Sequence, residues 1–160
     1  MKKILFVCIG NCCRSQMAEG FARHYGTGLL EVASAGLAPT PIIVPETVQV
    51  MVERDVDIRS QYPKPFAPAE ADTFHYVINL SGFELPPLVH ARIIEWRVQD
   101  PFGKSMEKHR EARDLIEKNV KKLVAEIDRF GVITAEPNGP PIAPSSTRRL
   151  GLWQRFTKRR

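Results

Sequence analysis

The strongest constraint in this chain is an apolar run that stops at a thiol. Ile4-Leu5-Phe6-Val7 leads directly into Cys8-Ile9-Gly10-Asn11-Cys12-Cys13-Arg14-Ser15, and a helical pattern follows. A short continuous apolar run reads as a strand buried on both faces. After it, Met17, Ala18, Phe21, Ala22 and Tyr25 recur at spacings of three and four, one face of a helix over residues 15–25. The thiol of Cys8 and the guanidinium of Arg14 therefore share one tight loop between a buried strand and a helix.

The same patterning extends along the chain. Strands are expected over residues 3–7, 29–33, 74–80 and 93–98, and helices over 15–25, 46–54 (opened by Pro45) and 106–130. Gly26 and Gly28 should stop the first helix. In the longest helix, Ala112, Leu115, Ile116, Val120, Leu123, Val124 and Ile127 mark the buried side. Strands alternating with helices predict an α/β fold, three-layer αβα, with a four-stranded parallel sheet. In such folds the working site lies beyond the carboxyl ends of the strands, where Cys8, Ser34 and Asp100 are expected.

Residues 1–134 read as this one domain, and residues 135–160 as a Pro-rich, basic, disordered tail. The net charge of +5 belongs to that tail: residues 137–160 hold six basic side chains and no acid, leaving 17 basic against 18 acidic elsewhere. The body thus has no footprint for nucleic acid. Leu150, Leu152, Trp153 and Phe156 among arginines make the tail a candidate contact for an anionic membrane surface or an acidic partner. All three cysteines lie within residues 8–13 and cannot staple distant parts of a fold. The apolar start ends too early for a signal peptide, and a cytoplasmic protein is expected.

The loop has what a phosphate dianion needs. Successive backbone N–H groups from Ile9, Gly10, Asn11, Cys12, Cys13, Arg14 and Ser15 can curl around an anion. Gly10 permits unusual backbone angles, and Asn11 tolerates the left-handed region. Ser15 stands at a helix start, where the dipole favours negative charge. Arg14 offers a planar fork matched to two phosphoryl oxygens. A helix N-terminus and a guanidinium also favour a thiolate at Cys8, the form that attacks phosphorus. Asp100, held before Pro101, is the candidate general acid for the leaving oxygen. Adjacent Cys12-Cys13 is poor zinc-ligand spacing, so no metal and no cofactor is expected. A Gly-Lys-Ser/Thr nucleotide loop is absent.

Cys8 to Ser15 after an N-terminal strand, Ser34-Ala35-Gly36, and Asp100-Pro101 before a long helix resemble the low-molecular-weight protein tyrosine phosphatases. Thioredoxin-linked arsenate reductases share that scaffold. The resemblance covers residues 2–130. It implies Cys8 as nucleophile, Arg14 as phosphate clamp, Asp100 as general acid, and Asn11 and Ser15 as loop-shaping residues. It also implies that Cys13 can form a reversible disulfide with Cys8, a role for which Cys12 competes. The leading expectation is a phosphate monoester hydrolase, a protein tyrosine phosphatase acting through a phosphocysteine on a phosphotyrosine protein or a small aryl phosphate.

Three departures qualify it. Gln16 stands where the family usually has proline, Cys12 where it usually has an aliphatic residue, and Phe102-Gly103 leaves one aromatic wall beside the site. The alternative is an arsenate reductase that uses the same thiol and oxyanion loop with an external thiol. The thioredoxin-linked reductases take extra cysteines from the segment after the third strand, and here residues 81–90 contain none. Glu95-Trp96 before Asp100-Pro101 leans toward the reductases.

Overall fold

The computed structural model of the protein describes residues 1–134, and the expectations about the tail lie outside them. Four parallel strands, β1 (Lys2–Cys8), β2 (Leu30–Gly36), β3 (Tyr76–Asn79) and β4 (Arg92–Glu95), form one sheet in the order β2-β1-β3-β4. Strand β1 is central, and Ile4, Phe6 and Val7 are fully buried, which is why its sequence is apolar without alternation. The chain winds to one side of β1 and then to the other. The crevice at its carboxyl end is therefore the natural site.

Helices α1 (Arg14–Tyr25), α2 (Pro45–Val52) and α4 (Met106–Phe130) cover one face of the sheet. Met17 and Phe21 of α1, Met51 of α2, and Ile116 and Val120 of α4 pack there on Ile4, Phe6 and Ile78. The other face, Leu5, Val7, Ala35 and Val77, is covered by the one-turn helix α3 (Pro68–Ala71), Phe66 and Leu85. Helix α4 is capped at both ends. The Ser105 hydroxyl accepts from the Lys108 N–H at 3.3 Å, and Gly131 turns left-handed with φ 69° and bonds back to Ile127. No helix among the described residues is long and apolar enough to cross a membrane.

Element boundaries differ from the patterning where tertiary contacts decide them. Strand β4 ends at Glu95 because, after the Trp96 N–H pairs with the Asn79 carbonyl, the chain turns its Val98 carbonyl toward Arg14. Residues 74–75 belong to the turn that leaves α3 rather than to β3. Helix α3 itself, four residues long, is not among the expected elements, since one turn shows no periodicity.

Candidate functional site

Residues 8–15 coil at the carboxyl end of β1, and the segment after β2 explains why their amides face inward. The Leu37, Ala38, Thr40 and Val44 N–H groups bond the carbonyls of Cys8, Ile9, Gly10 and Cys12 at 2.8–3.2 Å, and the Gln16 side chain bonds the Asn11 carbonyl at 2.9 Å. The C=O and N–H of a trans peptide point in opposite directions. Five outward carbonyls therefore turn the N–H groups of Ile9, Gly10, Asn11, Cys12 and Cys13 toward the inside of the coil, an anion-binding concavity.

Gly36 makes this lacing possible. A Cβ there would come within 2.8 Å of the Asn11 nitrogen and the Ile9 carbonyl oxygen. Gly10 serves space rather than angle: its φ is not positive, and a Cβ there would lie 2.9 Å from the Cys12 sulfur. The left-handed residue is Asn11, with φ 48°. Its Oδ1 accepts the Lys64 N–H at 2.8 Å, which fixes the amide so that Nδ2 donates to Ser15 Oγ at 2.7 Å. Ser15 therefore keeps its own hydrogen for the Cys8 sulfur, 2.8 Å away.

Arg14 is buried and clamped from three sides. Its Nη1 donates to the carbonyls of Leu80 and Val98, the latter at 3.1 Å, and its Nη2 lies 3.2 Å from Asp100 Oδ2. Its Nε is buried without a partner among the described residues. An unpartnered buried guanidinium N–H is costly unless something fills the place beside it. Cys8, Gly10, Cys12, Arg14, Thr40, Asp100 and Phe102 line one cleft of about 120 Å³. Asp100 sits at its rim, half-exposed, and its Oδ1 accepts the Phe102 N–H at 3.1 Å.

The two adjacent cysteines divide one proton unequally. Their sulfurs are 3.8 Å apart. The hydrogen bond from Cys13 outweighs burial and brings the Cys12 thiol down to about 7, with help from the Thr40 hydroxyl. The same contact, together with burial, drives Cys13 far above the ordinary thiol range.

Cys8, Asp100 and five of the seven expected loop residues (Ile9, Gly10, Cys12, Cys13 and Arg14) line one cleft, whereas Ser15 reaches it through the Cys8 sulfur, Asn11 through Ser15, and Ser34 does not join them. It pairs with Phe6 in mid-strand, and its hydroxyl donates to the buried Glu19 carboxylate. Gln16 carries more than its place in the sequence indicated. It donates to the Asn11 and Tyr62 carbonyls and accepts from Gln61, tying the loop to the 61–64 segment. A polar residue in the first turn of a helix buried on all sides was the available signal.

Residues 3–131 match the family model described as low molecular weight phosphotyrosine protein phosphatase. The chain belongs to that family. Within it, the chain is similar to a glutaredoxin arsenate reductase of Synechocystis sp., 41% identical over 131 residues that cover 79% of this chain and 99% of the relative. It is also similar to an arsenate reductase of Bacillus cereus, 32% identical over 76% of this chain and 92% of the relative. A solved structure of an arsenate reductase in its phosphate-binding state superposes with a TM-score of 0.72 at 40% identity, covering 79% of this chain and 99% of its own.

These relatives overturn the leading expectation of a protein tyrosine phosphatase and favour the alternative. The site gives the physical reason. A tyrosyl ring needs flanking aromatic walls, whereas among the described residues Phe102 is the one ring lining the cleft, and the other walls are Ile9, small side chains and polar ones. What the cleft offers is room and charge for a compact oxyanion.

Proposed function

We propose that the protein reduces arsenate to arsenite at Cys8, with an external thiol restoring the enzyme. The observation that carries this reading is the 41% identity to the Synechocystis arsenate reductase across nearly that whole protein. The cleft supports it, because arsenate has the charge and tetrahedral shape of phosphate.

In this reading the inward amides and Arg14 Nε hold the arsenate oxygens. The Ser15 hydrogen steers the Cys8 sulfur, which attacks arsenic as a thiolate. Asp100 hands a proton to the departing oxygen, which leaves as water. Arg14 holds Asp100 Oδ2 on the cleft side, so one guanidinium orients both the oxyanion and the acid. Electrons then come from thiols. The name of the Synechocystis relative links it to glutaredoxin, and a glutaredoxin with a low-molecular-weight monothiol is the external supply proposed here. A reducing compartment such as the cytoplasm would keep the three cysteines as thiols.

The test is arsenite formation over many turnovers, measured by arsenic speciation with a monothiol and glutaredoxin present. Wild type should accumulate arsenite and Cys8→Ser should not. Equal rates for both, or no arsenite from either, would defeat the reading.

A further inference from the structure

An external monothiol has to reach the Cys8 residue, which is 2% exposed in a cleft of about 120 Å³. The reducing sulfur must arrive on a slender chain, and the body of its molecule must lie elsewhere. A second cleft, of about 340 Å³, opens directly beyond Asp100, which lines both. That volume falls within the range of about 300–1,000 Å³ usual for small-molecule sites, which the oxyanion cleft does not reach. The segment between them faces both ways: Pro101 lines the larger cleft and Phe102 the smaller. No step of the chemistry at Cys8 uses the far side of this partition.

The larger cleft has an apolar floor and a charged rim. Val98, Pro101 and Ala112 are buried, while Lys104, Lys108 and Glu111 are exposed. Three of the four charged residues in its lining are answered: Arg14 lies 3.2 Å from Asp100, and Lys108 bonds Glu111 at 2.8 Å. Lys104 forms no ion pair with the described residues. Gly103, at φ 70°, and the bond from the Lys104 N–H to the Pro101 carbonyl at 2.9 Å close the turn that brings Lys104 back beside the cleft. One surplus cation over an apolar floor complements a molecule with an aliphatic body and a carboxylate.

We propose that the cleft beyond Asp100 seats the external monothiol, and that this thiol is a small peptide bearing a carboxylate. Its body lies on Val98, Pro101 and Ala112, its carboxylate meets Lys104, and its thiol arm crosses Asp100 to Cys8. This rests on the arsenate-reducing reading and names the site of its second substrate. The seated sulfur attacks the Cys8 sulfur of the arsenylated protein. An S–S bond forms as the S–As bond breaks, and the electron pair stays on arsenic, which leaves as arsenite with the thiol proton. A second thiol, supplied by glutaredoxin, then opens the mixed disulfide by exchange and returns Cys8 as a thiol. Seating the first thiol beside Cys8 turns a bimolecular encounter into a positioned one.

Two measurements on the full-length protein test this. In the first, ¹⁵N-labelled wild type is titrated with S-methylglutathione, a thioether that cannot react. The amides of Gln99, Lys104, Lys108, Glu111 and Leu115 should shift and saturate. In the second, the first equivalent of arsenite is followed against the concentration of glutathione or of 2-mercaptoethanol, which lacks a carboxylate. The rate should saturate with glutathione and rise linearly with 2-mercaptoethanol, and Lys104→Glu should raise the half-saturating glutathione concentration roughly fivefold or more. Lys104 is exposed, so that variant leaves the core untouched. Shifts that are absent, or that lie away from this cleft, would overturn the inference, as would shifts that need added glutaredoxin, the mark of a protein-docking surface. Arsenite formation with the same dependence on both thiols would also overturn it, and would leave the arsenate-reducing reading intact. No arsenite with any thiol would remove that reading, and the inference with it.

Discussion

Two segments leave the carboxyl ends of neighbouring strands, and they are built in opposite ways. Residues 8–15, where β1 ends and the loop begins, are mostly buried, have five carbonyls bound from outside, and carry every cysteine of the chain. The segment after β3 begins equally buried at Leu80 and Ser81 but runs out to Val89, the most exposed large apolar side chain of the described residues, and has no cysteine. At its start, Ser81 places a hydroxyl that donates to Asn79 Oδ1 at 2.7 Å and accepts from the Phe83 N–H at 3.0 Å. The lesson is a separation of duties. The first segment binds and reacts, and the second shapes the wall and supplies the Leu80 carbonyl that holds Arg14.

Substitutions can break or sharpen that contrast. The largest effect belongs to the first segment: Cys8→Ser should lower arsenite turnover by roughly 10⁴-fold or more, because a nucleophile has no substitute. Asp100→Asn, assayed the same way, should cost about 10²–10⁴-fold by removing the proton donor while leaving an oxygen beside Arg14. Gly36→Ala should unseat the loop without touching the chemistry. Its Cβ meets backbone at 2.8 Å on two sides, so thermal unfolding should register a loss of about 1–3 kcal/mol together with weakened phosphate protection.

The rate of Cys12 alkylation should rise with pH through about 7 and then level off. The sign follows from the reactive form: the Cys13 hydrogen bond, Thr40 and Arg14 favour the thiolate, while burial and Asp100 oppose it, and the lowered value places the rise below that of an ordinary thiol near ~8.5. The smallest change in activity is expected in the second segment. Ser81→Ala should leave arsenite turnover within about twofold while lowering stability by about 1 kcal/mol, since the buried Asn79 oxygen loses a donor. A collapse of turnover in Ser81→Ala would erase the division between the two segments.

The sequence made the first segment readable and left the second nearly blank, for physical reasons. An apolar strand, a loop of Gly, Asn, Cys and Arg and an apolar helix face are local signals, and the β1-loop-α1 unit lies within a residue of its expected bounds. Helix α4 matches its expected range, because 25 residues of period with a serine cap leave little freedom. Strands β3 and β4 are shorter than patterning indicated, since their ends are set by which carbonyl Arg14 takes and by the turn after α3. Gly36 pressed on Asn11, and the Gln16–Gln61 tie, join residues that no spacing rule connects. The choice between phosphate ester and arsenate was the least legible, because both oxyanions make the same demands on the loop. It turned on the relatives and on a cleft with one aromatic wall.

The most direct test follows arsenic itself. X-ray absorption at the arsenic edge of a freeze-quenched mixture of reduced protein, arsenate and monothiol should show As(V) giving way to As(III), through a species with one sulfur neighbour that Cys8→Ser does not form. Arsenic that remains As(V) with only oxygen neighbours, while the protein stays folded and binds phosphate, would contradict the account.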